Sequence, residues 1–159
     1  MKEKTTKDQE IMDLSPTKGK LAENYFRNGY NCSQSVALAF CDEMNMEKDT
    51  VARLTIGFGG GVGRMREICG AVSGIAFVLS ALYGDKGRAY VYALIQNAAK
   101  KFRCENGSIV CHELLGIEEP VFDPIPEKRT VGYYKKRPCP HIIHKAADIL
   151  DEILQSQKK

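Results

Sequence analysis

The chain has 159 residues, of which 43% are hydrophobic and 27% are charged. This composition is typical of a globular protein and excludes an intrinsically disordered or collagen-like chain. The formal net charge of +3 is too small to indicate a nucleic-acid-binding protein, which usually has a clustered basic face. One domain is expected at this length, with residues 1–14 as a flexible polar arm and residues 15–156 as a single helical domain.

The N-terminal residues lack the apolar segment of a signal peptide. The longest apolar stretch, residues 68–83, is shorter than the roughly 20 residues that a membrane helix needs. We therefore expect no membrane contact and a cytoplasmic location. In that reducing compartment cysteines are more often redox-active, metal-bound or buried in a core than joined in structural disulfides.

The first predicted helix begins at Ser15 and Pro16, a cap residue followed by a proline at the first helical position, and it ends at Gly29. A second helix follows directly. Asn31 is its expected cap, and Gln34, three residues later, completes the pattern of a capping box. Both predictions rest on residue types that satisfy the unpaired N–H groups of a first helical turn.

A third helix is predicted from about Asp49, with Val51, Leu54 and Phe58 as its apolar face. The segment GFGGGVGR, residues 57–64, must then form an irregular loop. It does not match the glycine spacing of a dinucleotide-binding fingerprint, and it lacks the Gly-Lys-Ser/Thr of a phosphate-binding loop. Glycine-rich backbone instead favours close packing, or a nest of N–H groups that binds an anion such as a thiolate or a cluster sulfide.

Helices are also predicted at residues 65–82, 86–104 and 109–115, and a last helix begins at Pro140. Residues 117–140 contain five prolines and no sustained periodicity, so we expect a mostly irregular surface connection. The predicted fold is all-α: a single-domain bundle of five to seven helices with a long irregular connection before the C-terminal helix.

The six cysteines show no Cys-x-x-Cys spacing, so neither a thioredoxin-like motif nor a zinc ribbon is indicated. Three of them are expected in first helical turns: Cys32 directly after its cap, Cys111 three residues after a serine cap, and Cys139 at the cap of the last helix. The positive end of a helix stabilises a thiolate, so lowered pKa values are expected there. Cys41 is nine residues after Cys32 and is expected on the opposite side, and Cys104 has no evident partner.

The cysteines and their neighbours resemble one protein family from about residue 25 to residue 154. The matching segments are Asn-Cys32-Ser-Gln-Ser-Val, GFGGGVGR, Cys69-Gly-Ala-Val-Ser-Gly74, Gly-Ser-Ile-Val-Cys111 and Cys139. Together they resemble the C-GCAxxG-C-C family, whose members are described as redox-active. The resemblance implies that Cys32, Cys69, Cys111 and Cys139 form the site, and that Cys41 and Cys104 lie outside it. Gly70 and Gly74 share a helix face, which would let another helix bring its cysteine towards Cys69.

Three histidines lie near these cysteines, but each has a simpler interpretation. His112 is expected to point away from Cys111, and His141 and His144 are expected to be solvated residues of the last helix. A Cys139-x-His141 pair also resembles a run of metal ligands, so His141 stays an alternative partner of Cys139. The basic and aromatic segment at residues 128–137 is interpreted as a solvated loop that favours the Cys139 thiolate, not as a nucleic-acid site.

Three functions remain open. The first is thiol–disulfide chemistry or electron transfer at the four cysteines, with Cys139 or Cys69 as the reactive thiolate. The second is an iron–sulfur cluster or a zinc ion bound by the same four residues. The third is a helical interaction module whose cysteines only pack. The sequence does not identify the redox partner, and its glycine-rich helix faces leave room for a homodimer.

Overall fold

The structure, a computed structural model, describes residues 16–118 and 122–158. The predicted arm, residues 1–14, lies outside the described residues. Those that are described form nine α-helices and no strand, which confirms the all-α class. The helices are α1 (Lys18–Arg27), α2 (Cys32–Leu38), α3 (Cys41–Met44), α4 (Lys48–Thr55), α5 (Gly70–Tyr83), α6 (Arg88–Asn106), α7 (Cys111–Leu115), α8 (Val131–Lys136) and α9 (Cys139–Gln157). Six of them have seven or more residues, within the range of five to seven expected, and α3, α7 and α8 are single short turns.

The core lies between α9 and the first half of the chain. Helix α9 packs along α1 and also contacts α2, α5 and α6, while α2 lies between α4 and α5. The apolar residues of α9 form a stripe that is buried in this core. The largest fully buried side chains are Phe26, Phe40, Phe102, Ile75, Leu79, Ile143, Leu150 and Ile153. The core therefore fixes the starts of α2, α5 and α9, where three of the cysteines are found.

The start of α2 is as predicted. The Asn31 side chain accepts a hydrogen bond from the Gln34 N–H at 3.0 Å, and the Gln34 side chain accepts one from the Asn31 N–H at 3.0 Å. The first helix begins later than expected. Thr17 is the cap of α1, its hydroxyl accepting from the Lys20 N–H, so Pro16 precedes the cap instead of opening the helix.

Other predicted helix starts are wrong by one to five residues. Helix α5 begins at Gly70 instead of residue 65, because Arg64 and Arg66 have positive φ and the chain stays irregular until Cys69. Helix α7 begins at Cys111 instead of residue 109. Helix α9 begins at Cys139 instead of Pro140, so Cys139 is a helical residue and not the cap.

Two features were missed. The connection at residues 117–140 contains α8, which Thr130 caps by accepting a hydrogen bond from the Tyr133 N–H. The predicted apolar face of the third helix is also partly wrong, since Leu54 and Phe58 are exposed and Thr55 is buried in their place. Thr55 can be buried because its hydroxyl donates to the Val51 carbonyl at 2.7 Å.

None of the helices among the described residues combines the length and the apolar character that crossing a membrane requires.

Candidate functional site

Cys32 is the first residue of α2, and the glycine loop holds it there. Asn31, the cap of α2, also donates from Nδ2 to the Ile56 carbonyl at 2.9 Å at the start of that loop. Gly59 lies against the Asn31 side chain, where an added Cβ would come within 2.8 Å of three of its atoms. Asn31 is thus hydrogen bonded both to Gln34 within α2 and to Ile56 at the loop. These bonds fix the direction in which α2 begins, and with it the position of Cys32.

The loop itself is tightly wound. Four glycine-loop residues in succession, 60–63, have positive φ, and Arg64 and Arg66 share that conformation. Hydrogen bonds cross the loop from the Gly63 N–H to the Gly57 carbonyl and from the Glu67 N–H to the Gly61 carbonyl. Positive φ in residues with side chains costs about 1–3 kcal/mol each and concentrates at functional sites. The expected irregular loop is confirmed, and it extends past Arg64 to Cys69.

Cys69 and Cys111 are brought together by a short antiparallel bridge between Ile68 and Val110. The Cys69 N–H donates to the Ile109 carbonyl at 2.8 Å, and the Cys111 N–H donates to the Glu67 carbonyl at 2.6 Å. Cys69 caps α5 and Cys111 is the first residue of α7. The bridge thus places two helix starts side by side with a buried cysteine on each.

The close approach predicted for Gly70 and Gly74 is present between α5 and α2. A Cβ at Gly70 would lie 2.9 Å from the Cβ of Cys32, and a Cβ at Gly74 would lie 2.9 Å from the Ser33 carbonyl oxygen. The missing side chains therefore let α2 lie directly on α5. This contact is what carries Cys32 to the bridge that holds Cys69 and Cys111.

All four predicted site cysteines line one cavity of about 380 Å³. Cys69 and Cys111 are buried, whereas Cys32 and Cys139 are partly exposed. Parts of the glycine loop, α1, α7, α8 and the connection before α8 complete the cavity wall. The four residues named from the sequence are therefore neighbours in the structure, although they come from four separate helix starts.

Cys32 and Cys139 form a thiol pair. The neighbouring Cys32 thiol lowers the pKa of Cys139, as do the positive charges of Arg137, Arg66 and Arg129. The neighbouring Cys139 thiol, together with burial, raises the pKa of Cys32 well above its usual range. Cys139 is thus the thiol of the pair that ionises first.

The lowered pKa values expected for cysteines at helix starts are found only at Cys139. Burial raises the pKa of Cys69 to about 12, although the backbone N–H of Ala71 acts in the opposite direction. Burial also raises the pKa of Cys111, against the hydrogen bond and charge of Arg66, whose Nη1 lies 3.8 Å from its sulfur. Desolvation disfavours a buried thiolate more strongly here than a helix start favours it. Of the two reactive thiolates considered from the sequence, Cys139 is favoured over Cys69.

The arginines of this site were not singled out from the sequence as a group. Arg129 and Arg137 belong to the basic segment, whose predicted effect on the Cys139 thiolate agrees with the lowered pKa. Arg64 and Arg66 belong to the glycine loop and line the same cavity. The sequence does show these two residues, because Arg64 ends GFGGGVGR and Arg66 follows two residues later. That loop was already expected near Cys69.

The remaining candidates lie apart from the cavity. Cys41 is buried and Cys104 is exposed, and neither lines it. His144 contacts Glu23 and Asp148, each at 3.3 Å, on the side of α9 that faces α1. His141 is exposed and His112 is partly exposed, and neither lines the cavity. The interpretation of these histidines as surface residues fits their positions.

The four thiols do not form a site for a single metal ion. In residues 16–118 and 122–158, no three His, Cys, Asp or Glu side chains converge in the way that a single metal ion requires. A tetrahedral zinc site needs its ligands at about 2.0–2.3 Å from one point. The four thiols share a cavity without meeting that condition.

Comparison with known proteins agrees with the resemblance noted in the sequence. Residues 30–153 match the family described as "Putative redox-active protein (C_GCAxxG_C_C)", and the chain belongs to this family. An uncharacterized protein of Archaeoglobus fulgidus is 28% identical over 142 residues, which cover 80% of this chain and 87% of that protein. No solved structure matches the chain.

Proposed function

We propose that this protein is a dithiol–disulfide redox protein in which Cys139 is the attacking thiolate and Cys32 is the resolving thiol. The observation that carries the proposal is that Cys32 and Cys139 line one cavity and that their pKa values shift in opposite directions, with that of Cys139 lowered and that of Cys32 raised. The thiolate is the nucleophile in disulfide exchange, and a second thiol within contact distance completes the reaction.

The proposed cycle balances two electrons. The Cys139 thiolate attacks one sulfur of a substrate disulfide, the other sulfur leaves as a thiolate, and a mixed disulfide forms. Cys32 then loses its proton and attacks the Cys139 sulfur, which releases the second substrate thiol. The protein ends with a Cys32–Cys139 disulfide, and its thiolate–thiol pair has lost two electrons and the proton of Cys32. The substrate is reduced to two thiols, of which the one that left first as a thiolate takes its proton from the solvent.

Cys69 and Cys111 have a supporting part in this proposal. Their raised pKa values keep both protonated at neutral pH, so they do not compete with Cys139 for the substrate. Two neutral thiols beside the pair also leave the negative charge on Cys139 alone. The cysteine chemistry fits a reducing cytoplasm, which returns the disulfide to the dithiol, and we propose that location for it.

The test is a count of thiols before and after mild oxidation, followed by mapping of the disulfide by mass spectrometry. Cys104 is exposed and could join two chains, so the experiment uses the Cys104→Ser protein. We expect the loss of two thiols and a link between the peptides that contain Cys32 and Cys139. Cys139→Ser should abolish the link, and Cys41→Ala, outside the cavity, should leave it intact. An unchanged thiol count, or a link that excludes Cys139, would overturn the proposal.

An iron–sulfur cluster is the second candidate, because four thiols face one cavity. A cluster is held by four thiolates on several iron atoms, so its ligands need not converge on a single point. Visible absorption of protein purified without oxygen from iron-supplied cells, lost in Cys69→Ala and Cys111→Ala, would support it. A colourless, iron-free protein would count against it. A colourless protein with an unchanged thiol count would instead support the helical interaction module.

A further inference from the structure

Besides its thiols, the cavity has a cationic and largely apolar wall. Its side chains include Arg64, Arg66, Arg129 and Arg137, and Glu127 is the one acidic residue among the described residues that line it. With the Cys139 thiolate of the proposed function, four positive and two negative charges leave +2 on a wall whose other side chains are mostly apolar. In a cleft of low polarity, water screens charges only weakly, so their attraction for a bound group is strong. The cavity is therefore built to attract a negative group.

Three of the four arginines already have polar partners. Arg137 pairs with Glu127, and Arg64 lies 3.5 Å from Asp123. Arg129 donates to the Phe26 carbonyl at 3.1 Å and stacks over the Phe26 ring. Each of these side chains is thereby held in the wall of the cavity.

Arg66 is different. The polar contact found for its guanidinium is the Cys111 sulfur, and no carboxylate among the described residues lies within 4.0 Å of it. A guanidinium carries five donors in a planar fork that suits carboxylate and phosphate. Most of the donors of Arg66 are thus open towards the cavity.

The glycine loop adds backbone donors beside Arg66. Within the described part of the chain, the N–H groups of Gly60 and Gly61 have no hydrogen-bond acceptor, while those of the neighbouring loop residues do. Both glycines line the cavity. Successive N–H groups in a positive-φ turn form a concave site for an anion. Gly61 tolerates no Cβ, because an added one would lie 2.7 Å or less from the Arg66 and Glu67 backbone.

We propose that the substrate of this site is a low-molecular-weight disulfide that carries an anionic group, bound by Arg66 and the N–H groups of Gly60 and Gly61. The inference rests on the proposed function and names its substrate class. A cavity of about 380 Å³ lies within the size range of small-molecule sites. With the anionic group held at the loop, the substrate disulfide faces the Cys32–Cys139 pair on the same cavity, and the exchange follows the balanced steps given above.

The test compares three small disulfides of similar length that differ in charge: dithiodipropionate (anionic), hydroxyethyl disulfide (neutral) and cystamine (cationic). Two rates are measured for each disulfide: its rate of oxidation of the reduced Cys104→Ser protein, and its rate of reaction with the thiolate of mercaptoethanol. The first rate divided by the second is the corrected rate. This division removes the effect of the leaving thiol, whose pKa also changes the rate. We expect the corrected rates to fall from the anionic to the neutral to the cationic disulfide, and the preference to shrink in high salt.

Variants of Arg66 test whether this residue causes the preference for the anionic disulfide. Arg66→Met should reduce the ratio of the anionic to the neutral rate about tenfold, the order expected from losing one hydrogen bond between charged groups. Arg66→Lys should keep part of the ratio, and Arg53→Met, at an exposed position of α4 outside the cavity, should leave it unchanged. The ratio is used because Arg66 also lowers the pKa of Cys139, an effect common to all three disulfides.

The outcomes separate the two proposals. Equal corrected rates for the three disulfides with the Cys104→Ser protein, in which Arg66 is unchanged, would overturn the anionic substrate class and leave the dithiol function standing. A uniform loss of rate in Arg66→Met would do the same, since Arg66 would then act only on the thiolate. If none of the three disulfides oxidises the Cys32–Cys139 pair, the dithiol function fails and the substrate class fails with it.

Discussion

Replacement of Gly74 by alanine tests whether the direct contact of α2 with α5 holds the site together. An added Cβ would lie 2.9 Å from the Ser33 carbonyl oxygen and 3.0 Å from the Cβ of Val36. Neither atom is the end of a flexible side chain, so α2 itself must move. Overpacking of this kind costs about 2–3 kcal/mol, and alanine returns about 1 kcal/mol through its higher helix propensity. We expect Gly74→Ala to lower the free energy of unfolding by about 1–2 kcal/mol.

Urea unfolding measures this loss, and Gly84→Ala is the matched control. Gly84 ends α5 with helical φ and ψ, and an added Cβ would meet nothing within 4 Å. The control should gain about 0.4–1 kcal/mol by restricting the unfolded chain. Equal slopes against urea would show that both variants unfold to the same extent. A Gly74→Ala protein as stable as the control would refute the close contact and the positioning of Cys32 that depends on it.

Three further predictions concern the thiols and the cap. Cys32→Ala should raise the pKa of Cys139, because the neighbouring Cys32 thiol is the strongest influence that lowers it, and the pH dependence of iodoacetamide labelling at Cys139 measures the change. Cys69 stays protonated when folded up to about pH 12 but ionises near pH 9 when unfolded, so alkali favours the unfolded chain. Between about pH 8 and pH 10 the wild type should lose about 1.4 kcal/mol more stability than Cys69→Ala, and an equal loss would contradict the burial of this thiol. Asn31→Ala should cost about 0.5–2 kcal/mol in urea unfolding through the lost cap, whereas unchanged stability would contradict the capping box.

The elements that the sequence predicts well are those fixed by nearby residues. The start of α2 depends on Asn31 and Gln34, three residues apart, and both hydrogen bonds of the capping box are present. The predicted end of the helix at residue 115 is also correct, because Gly116 directly follows α7 with a φ of 70°. The spacing of Gly70 and Gly74 on one helix face predicts that another helix packs closely there, and the fold supplies α2 as that helix. In each case the residues that carry the prediction lie within one or two turns of each other.

The elements that the sequence did not predict depend on residues far apart. The start of α5 is delayed to Gly70 because Ile68 pairs with Val110, more than 40 residues later. A single bridge involves only one residue from each segment, so it leaves no periodic pattern in the sequence from which it could be predicted. The arginines of the cavity belong to two separate segments for the same reason, and only the fold brings Arg66 near Arg137 and Cys139.

The thiol pKa values show how the two kinds of information combine. A helix start is a local feature, and it led to the same expectation for Cys32, Cys111 and Cys139. Burial and neighbouring groups are properties of the fold, and they separate the three: burial raises the pKa of Cys111, and the neighbouring Cys139 thiol, together with burial, raises that of Cys32. The pKa of Cys139 is instead lowered by the Cys32 thiol and by the charges of three arginines. Under the proposed function these differences make Cys139 the nucleophile and Cys32 the resolving thiol, beside two protonated neighbours, and disulfide exchange uses such an asymmetry.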